Sequence, residues 1–408
     1  MNDMRTGHNL FDVEVIGGGV AALCAAISAR LAGATVCLRE AASPYLRGGN
    51  TRHSRNLRVM HPQATRIVPG FYSEEEFIGE LEKTSNRTCD AVLTRILVQK
   101  SCGLPEWLAE QGVAFQTEQI PFSRKTAFFL GGGRAAVNSL YQRAASIGIH
   151  ITYNHLVSNI FLQKVTKSTI ICCGGNQACF PPEIINRGTP FARGEVLESL
   201  LDQGAQEIGI KEAGHIVAVD ARSPEHDGGI VTRIDGMEHG IVVDRTGLRF
   251  QDETAYLKPT RYSLWGRSIL KLPGKYAVLI LDREGIRKAP VFAFPPIQSS
   301  SIEELAKKLD IPEQNLVASM NQTSRLSAPP FFALPIRPGI AFTHYGIKVD
   351  ETAHVVMKDG TVCKNLFAAG MIMAPNILGT GYLAGAGITI GAVFGRIAGE
   401  EAARYALG

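Results

Sequence analysis

The alternation of apolar and polar stretches begins with a strand, a glycine-rich turn and a helix. An apolar run over residues 13–16 leads into glycines at 17–19, a helical stretch follows, and a second apolar run over 36–39 ends on Glu40. The turn matches G-x-G-x-x-A, the sequence that joins strand to helix in dinucleotide-binding folds. Glycine-rich turns are common, but here the strand, the helix and the acid also stand at the right intervals. The pattern therefore predicts a dinucleotide-binding β-α-β unit.

Each position of this unit has a physical role. Glycine at the first position permits a sharp turn, glycine at the third lets the backbone approach a pyrophosphate on the helix N-terminus, and alanine at the sixth permits close packing of helix on strand. The acid at the end of the second strand accepts hydrogen bonds from a ribose hydroxyl. The predicted cofactor contacts in this unit are Gly17, Gly19, Val20, Ala21, Ala22 and Glu40.

Two later apolar runs predict further strands of the same sheet. Residues 168–171 read as a buried strand that ends at Gly174, and residues 365–369 read as its partner, ending at Gly370. Between them, over 181–335, strands and helices lose their regular alternation and prolines, charges and aromatics increase. This change predicts a second domain inserted into a Rossmann-like α/β domain. The chain closes with a Gly/Ala-rich helix over 378–403, which is unfavourable for helix propensity unless it packs tightly.

Helical patterns and a polar loop occupy the region after the first unit. Ser73 followed by three glutamates predicts a helix over 73–83, and residues 90–100 and 104–111 read as amphipathic helices. Residues 43–58 are rich in glycine and arginine and show no periodicity. A polar loop this close to a dinucleotide fold is a candidate for wrapping a ligand.

Composition excludes several classes of protein. Of the 408 residues, 45% are hydrophobic and 20% charged, and the net charge of +4 is too small to argue for nucleic acid. The eight cysteines form no C-x-x-C pair, so no metal site or disulfide framework is predicted and a reducing, cytoplasmic location is expected. We also expect no signal peptide and no membrane insertion, because no apolar run reaches spanning length.

Several motifs together resemble the flavoprotein family of fumarate reductases and succinate dehydrogenases. They are the glycine fingerprint with Glu40, the loop 48–51, the strand ending at 174–175, the turn 368–370 and the Gly/Ala helix. Segments 47–58, 228–235, 261–267 and 337–343 are most similar to its tricarballylate dehydrogenase branch. The resemblance covers nearly the whole chain, with the motifs in the right order.

The resemblance implies an FAD-binding domain interrupted by an α+β capping domain, with substrate held between cap and flavin. The predicted boundaries are 1–180 and 336–408 for the FAD-binding domain and 181–335 for the cap. Asn50 stands where membrane-bound relatives carry the histidine that binds flavin covalently, so non-covalent FAD is expected. The closing helix is expected to aim its positive end at the flavin N1–C2 carbonyl. Further implied FAD contacts are Gly49, Asn50, Thr51, Gly174, Gly370, Ala386 and Ile388.

The same resemblance implies a chemistry and its residues. Hydride passes to or from flavin N5, and Arg261, in the segment that matches the family's catalytic arginine, accepts or donates the proton. Free guanidinium stays protonated, so a role as base requires neighbouring cations, which we expect other arginines to provide. Arginine forks also suit substrate carboxylates. The predicted substrate contacts are Arg58, Thr232, Arg233 and Tyr382.

Departures from the family pattern point away from fumarate itself. Tyr382 replaces a carboxylate-clamping arginine, Arg233 replaces a glutamate of the proton path, and Phe342 or Thr343 replaces a substrate histidine. These changes favour another small di- or tricarboxylate, as in the tricarballylate branch. Met371 replaces an acid that contacts the ribityl chain, which weakens one FAD contact.

Other readings of the sequence stay open. Met371 and short connections at 156–168 and 324–330 are compatible with a divergent, non-catalytic flavoprotein of the same fold. A flavin enzyme for a bulky hydrophobic substrate, such as a ketosteroid, is opposed by the arginine cluster, and a nicotinamide-linked reductase by the lack of a second glycine fingerprint. Relatives in the tricarballylate branch pass electrons to a separate protein, so an external electron acceptor is a candidate partner.

Overall fold

The computed structural model describes residues 11–117, 124–160, 166–255 and 261–408. The elements up to residue 186 are β1 (Phe11–Ile16), α1 (Val20–Leu31), β2 (Val36–Arg39), β3 (Asn56–Arg58), α2 (Glu74–Thr84), α3 (Ala91–Ser101), α4 (Leu104–Glu110), β4 (Thr126–Phe128), α5 (Gly132–Ser146), β5 (His150–Thr152), β6 (Thr166–Ile171) and β7 (Ile185–Asn186). The elements that follow are α6 (Glu195–Asp202), β8 (Glu207–Asp220), β9 (Gly240–Asp244), α7 (Arg261–Leu270), β10 (Ala277–Leu281), α8 (Arg283–Lys288), β11 (Ile297–Ser299), α9 (Ile302–Leu309), α10 (Glu313–Asn321), β12 (Phe331–Ile347), β13 (His354–Val356), β14 (Val362–Ala368), α11 (Pro375–Leu378) and α12 (Ala386–Leu407).

Two compact units make up the chain. The described residues of the first lie within 11–179, 191–214 and 342–408, and those of the second within 180–190 and 215–341. The predicted inserted domain, 181–335, differs from this division mainly at 191–214. Those residues belong to the first unit because the apolar face of α6, with Val196, Leu197 and Leu200, is part of its hydrophobic core.

The first unit is built on a mostly parallel sheet in the order β13-β14-β6-β1-β2-β5. β1 lies parallel to β2, with Val13 opposite Val36, and parallel to β6, with Val13 opposite Ser168. Among the six described strands of this sheet, only β13 runs antiparallel, and it pairs with β14. The central strands β1 and β2 are mostly buried, as strands of a parallel sheet covered by helices usually are. The predicted β-α-β unit, and the pairing of the strands that lead to Gly174 and Gly370, are therefore confirmed.

The small residues of α12 are explained by its contact with α1. A Cβ on Gly395 or on Gly399 would crowd or overlap backbone atoms of Ala21 and Ala25 in α1. Glycine and alanine let the two helix backbones approach closely, and this packing compensates for the low helix propensity. The helix was expected to pack against the sheet, and it also packs along α1.

The second unit is built on a mostly antiparallel sheet with helices on both faces. The strand order is β11-β12-β10-β9, and β7 pairs with β12 in parallel. β10 is fully buried. Its residues alternate between two clusters: Val278 and Ile280 pack with α9 and α10, and Leu279 and Leu281 pack with Trp265 of α7. This is the period of two expected of a strand. The predicted mixed α/β fold with an α+β insertion is confirmed.

Three helices agree with their predicted positions to within a residue or two. Ser73 caps α2, its Oγ accepting the backbone N–H of Glu76 at 3.1 Å. Asp90 caps α3 in the same way, and α4 follows at Leu104–Glu110. Part of the short connection predicted over 156–168 lies outside the described residues. Among the described helices, none combines the length and apolarity that a membrane span requires.

Candidate functional site

The N-terminus of α1 carries no acidic residue, and Thr51 caps one of its backbone N–H groups. Gly17 has a φ of +119°, and a Cβ there would overlap the carbonyl oxygen of Cys172. Gly19 precedes the helix without a side-chain cap, and the first turn carries no acid. The backbone N–H of Val20 donates to Oγ1 of Thr51 at 2.9 Å. The positive end of α1 is therefore suited to a phosphate group.

Glu40 is held at the end of β2 by three donors. Its side chain is buried, with 5% of the residue exposed. Oε1 accepts the N–H of Ala42 at 2.9 Å, and Oε2 accepts the N–H of Gly48 and the O–H of Tyr141, each at 3.1 Å. A carboxylate offers about four acceptor sites, and these three donors occupy three of them. The fourth site suits the ribose hydroxyl that the sequence predicts as a partner of Glu40.

Gly18 lies directly against the Glu40 carboxylate and the Tyr141 hydroxyl in this site, although the glycine pattern assigned it no role. A Cβ on Gly18 would overlap the Glu40 carboxylate and the Tyr141 hydroxyl. The turn, the open helix end and the acid with acceptor capacity together fit the adenosine diphosphate half of a dinucleotide. The run of three consecutive glycines was the sequence signal available for Gly18. No local pattern pointed to Tyr141, which lies 101 positions from Glu40.

The other predicted cofactor residues lie in turns of the first unit. Residues Gly49–His53 form a 3₁₀ turn. This turn carries Gly49, Asn50 and Thr51. Gly174 and Gly370 each have a φ of +83° just beyond β6 and β14, where a side chain would be strained. The two strand ends lie next to each other, because β6 and β14 are parallel neighbours.

The start of α12 is a second helix N-terminus that carries no acidic residue. Gly385 precedes it with a φ of +82°, without a side-chain cap, and the first turn has no acid. Thr389 Oγ1 accepts the backbone N–H of Arg58 at 3.0 Å and donates to its carbonyl oxygen at 2.6 Å. Ala386 is buried and Ile388 half-buried in this turn. Its positive end suits the anionic edge of a reduced flavin, as the sequence predicts.

Arg58 is paired inside the protein. Its Nε donates to the carbonyl oxygen of Ala384 at 2.9 Å, and Nη1 donates to the Tyr72 hydroxyl at 3.0 Å and to Glu80 Oε2 at 2.7 Å. Only 8% of the residue is exposed. These bonds give the guanidinium a structural role, because they tie α2 to the loop before α12. The substrate contact of Arg58 stays a prediction.

We expect Arg58→Ala to lower the midpoint of thermal unfolding by about 5 °C, because it removes one of the two cations paired with the half-buried Glu80 carboxylate, together with the bond to the loop before α12. The substrate KM should change little. Arg95→Ala removes an arginine that is 69% exposed beside Glu74 and serves as control, with an unchanged midpoint. An unchanged midpoint in Arg58→Ala together with a raised KM would return Arg58 to the substrate site.

Arg261 opens α7 and lies between two carboxylates of the second unit. Its Nε donates to Asp235 Oδ1 at 2.7 Å, and Nη2 lies 3.0 Å from Glu238 Oε1. The side chain is 24% exposed. Two carboxylates therefore hold its guanidinium. The expectation that other arginines surround it stays a prediction. Asp235 and Glu238 lie upstream in a loop and a 3₁₀ turn, so no local pattern linked them to Arg261.

The two other predicted substrate residues of the second unit also have partners there. Thr232 is 4% exposed, and its hydroxyl donates to the carbonyl oxygen of Gly229 at 3.3 Å. The Arg233 guanidinium lies 4.1 Å from the centre of the Tyr262 ring, a cation–π contact. Their substrate contacts stay predictions.

Tyr382 belongs to a half-buried aromatic group near the start of α12. Its ring centre is 6.1 Å from that of Phe342, and Phe342 meets the His344 ring edge-on at 5.5 Å. Thr343, between them in sequence, is fully buried and accepts the backbone N–H of Asn176 at 3.2 Å through Oγ1. This fixes Phe342 beside the segment that follows Gly174.

Comparisons with known proteins identify the family. The model of the FAD binding domain family matches residues 12–175 and 165–388, which is more than half of the chain. The NADH:fumarate oxidoreductase of Klebsiella pneumoniae (strain 342) is 24% identical, over 98% of this chain and 48% of its own length. The probable fumarate reductase Ifc3 of Shewanella frigidimarina (strain NCIMB 400) is 24% identical, over 97% of this chain and 75% of its own.

A solved structure has the same fold. An open conformation of a flavocytochrome c3 fumarate reductase superposes with a TM-score of 0.80 and 22% identity, over 98% of this chain and 79% of that one. This chain thus spans about half of the first relative and about three quarters of the second. It belongs to the FAD binding domain family, is similar to fumarate reductases over nearly its whole length, and has FAD as its cofactor.

Proposed function

We propose that this chain is an FAD-dependent oxidoreductase acting on CH–CH groups, which reduces or dehydrogenates a C–C bond of a small di- or tricarboxylate. The observation that carries the proposal is Arg261, a cation fixed by Asp235 and Glu238 in a chain of this family. A tricarballylate-like substrate, non-covalent FAD, an external electron carrier and a cytoplasmic location with free thiols are parts of the same proposal.

FAD, when bound, supplies the hydride acceptor or donor. The N-terminus of α1 would hold its pyrophosphate, Glu40 would hold its ribose, and the N-terminus of α12 would stabilise negative charge on the reduced ring. Arg261 is the proton donor to the substrate carbon.

The contacts of Arg261 favour the reductive direction. Its Nε and Nη2 are held by carboxylates, so Nη1 is the nitrogen that serves the substrate. Because a guanidinium is protonated at rest, Arg261 starts as a donor in the reductive direction, whereas as a base in the oxidative direction it would first have to lose its proton. Asp235 and Glu238 are placed to return the proton.

Steady-state assays under anaerobic conditions test this function. With reduced viologen as electron donor, we expect turnover with cis-aconitate or fumarate, and slower or no reverse reaction with tricarballylate or succinate and a dye acceptor. A yellow protein that turns over none of these acids in either direction would contradict the proposal and support a non-catalytic flavoprotein.

The aromatic pair of Phe342 and Tyr382 favours a second candidate, an unsaturated acid with an apolar or aromatic substituent. Half-buried rings about 6 Å apart offer faces for stacking rather than charge for a second carboxylate. The same assay separates the candidates: a higher kcat/KM for 4-hydroxycinnamate than for cis-aconitate, lost in Tyr382→Ala, would support the aromatic acid.

A further inference from the structure

Tyr141, a residue of α5, connects Glu40 to the glycine turn. It is 2% exposed, and its hydroxyl lies 3.1 Å from Glu40 Oε2 and 3.1 Å from the carbonyl oxygen of Gly18. A hydroxyl has one proton, and a carboxylate is the stronger acceptor, so the proton goes to Glu40. The tyrosine thereby fixes the carboxylate over the turn.

The environment of Tyr141 keeps it a donor. Burial, and then the nearby Glu40 carboxylate, raise the pKa of Tyr141 well above its ordinary value, so the proton stays on the hydroxyl throughout the physiological range. The Arg47 guanidinium lies 4.5 Å from the centre of the ring. Arg47 is itself fixed by bonds to the Tyr153 hydroxyl and to Asn138 Oδ1, each at 3.2 Å. The Arg47 guanidinium therefore holds the Tyr141 ring in place through a cation–π contact.

We propose that Tyr141 is a positioning residue for nucleotide recognition: its hydroxyl orients the Glu40 carboxylate so that the remaining acceptor site faces the ribose of FAD. This rests on the proposed contact between Glu40 and the ribose. Without the hydroxyl, the Glu40 side chain keeps only the N–H groups of Ala42 and Gly48 and gains freedom to rotate. The cost falls on the ribose contact, because the hydroxyl gives its proton to Glu40 and not to the carbonyl oxygen of Gly18 in the phosphate turn.

The test uses the full chain stripped of flavin and two nucleotides, ADP and 2′,3′-dideoxy-ADP, measured by calorimetry. Both carry the phosphates and the adenine, and only ADP carries the ribose hydroxyls. In the wild type we expect ADP to bind about tenfold more tightly. Tyr141→Phe keeps the ring under Arg47 and should reduce this ratio to about two or less, as should Glu40→Gln.

Tyr405→Phe is the matched control. It removes the hydroxyl of an exposed tyrosine near the end of α12, and we expect the ratio to stay at the wild-type value. The double variant Tyr141→Phe with Glu40→Gln should reduce the affinity ratio no further than Glu40→Gln alone, since the hydroxyl acts only through the carboxylate.

Two results would overturn the proposal in different ways. Suppose that the wild type binds ADP more tightly than dideoxy-ADP. If Tyr141→Phe then keeps the full ratio of the two affinities, or lowers both affinities equally, Tyr141 has a structural role only. If the wild type binds both nucleotides equally well, the ribose contact of Glu40 fails as well. Turnover of the wild type is measured separately, so neither result is confused with failure of the proposed oxidoreductase.

Discussion

Arg261→Ala is expected to lower kcat about 1000-fold, because a positioned proton donor contributes roughly 10²–10⁴-fold to such a reaction. FAD binding should not change, since the predicted cofactor contacts all lie in the first unit. Flavin content per chain and steady-state turnover measure the two effects. Arg261→Lys keeps the charge but loses the planar fork that meets Asp235 and Glu238, so it should recover only part of the rate.

The control for this prediction is Arg287→Ala. Arg287 is also paired with a carboxylate in the second unit, but both it and Glu284 are mostly exposed. We expect its kcat to match the wild type. If Arg261→Ala turns over at a near-normal rate while FAD remains bound, the proton comes from another group and Arg261 has no part in the chemistry.

Gly18→Ala should weaken FAD binding by about 100-fold. The added methyl group would overlap the Glu40 carboxylate and the Tyr141 hydroxyl, so the turn or the acid must move. Overpacking of this kind costs about 1–3 kcal/mol, and displacement of the acid from the ribose adds to it. Titration of the flavin-free protein with FAD, followed by flavin fluorescence, measures the change.

Gly79→Ala is the matched control for the same substitution. Gly79 lies within α2 and has open space around its position for a Cβ, so alanine should leave FAD affinity unchanged and raise stability slightly. An FAD affinity in Gly18→Ala equal to the wild type would show that the adenosine half of the cofactor does not sit on this turn.

Local patterns predicted the parts of the fold that depend on neighbouring residues. The glycine turn, the Ser73 cap and the parallel strands at Gly174 and Gly370 follow from short stretches of sequence, and the structure contains them. The Gly/Ala composition of the last helix also signalled close packing, although its contact with α1 was not specified.

Pairings between distant residues were beyond the reach of these patterns. Arg58 has the chemistry of a substrate clamp, but no local pattern indicated its ion pair with Glu80, which lies on a separate helix. Arg261 pairs with Asp235 and Glu238, and no local pattern linked these three residues. In both cases the residue type was informative, but its electrostatic partners were set by tertiary structure.

A single-turnover experiment tests the central claim most directly. The flavin of the purified chain is photoreduced anaerobically with EDTA as the electron donor, and fumarate, cis-aconitate or 4-hydroxycinnamate is then added while the flavin spectrum is followed. We predict that at least one acid restores the oxidised spectrum, with one equivalent of saturated acid formed per flavin. A chain that takes up no FAD, or whose reduced flavin persists with every acid, would contradict the account.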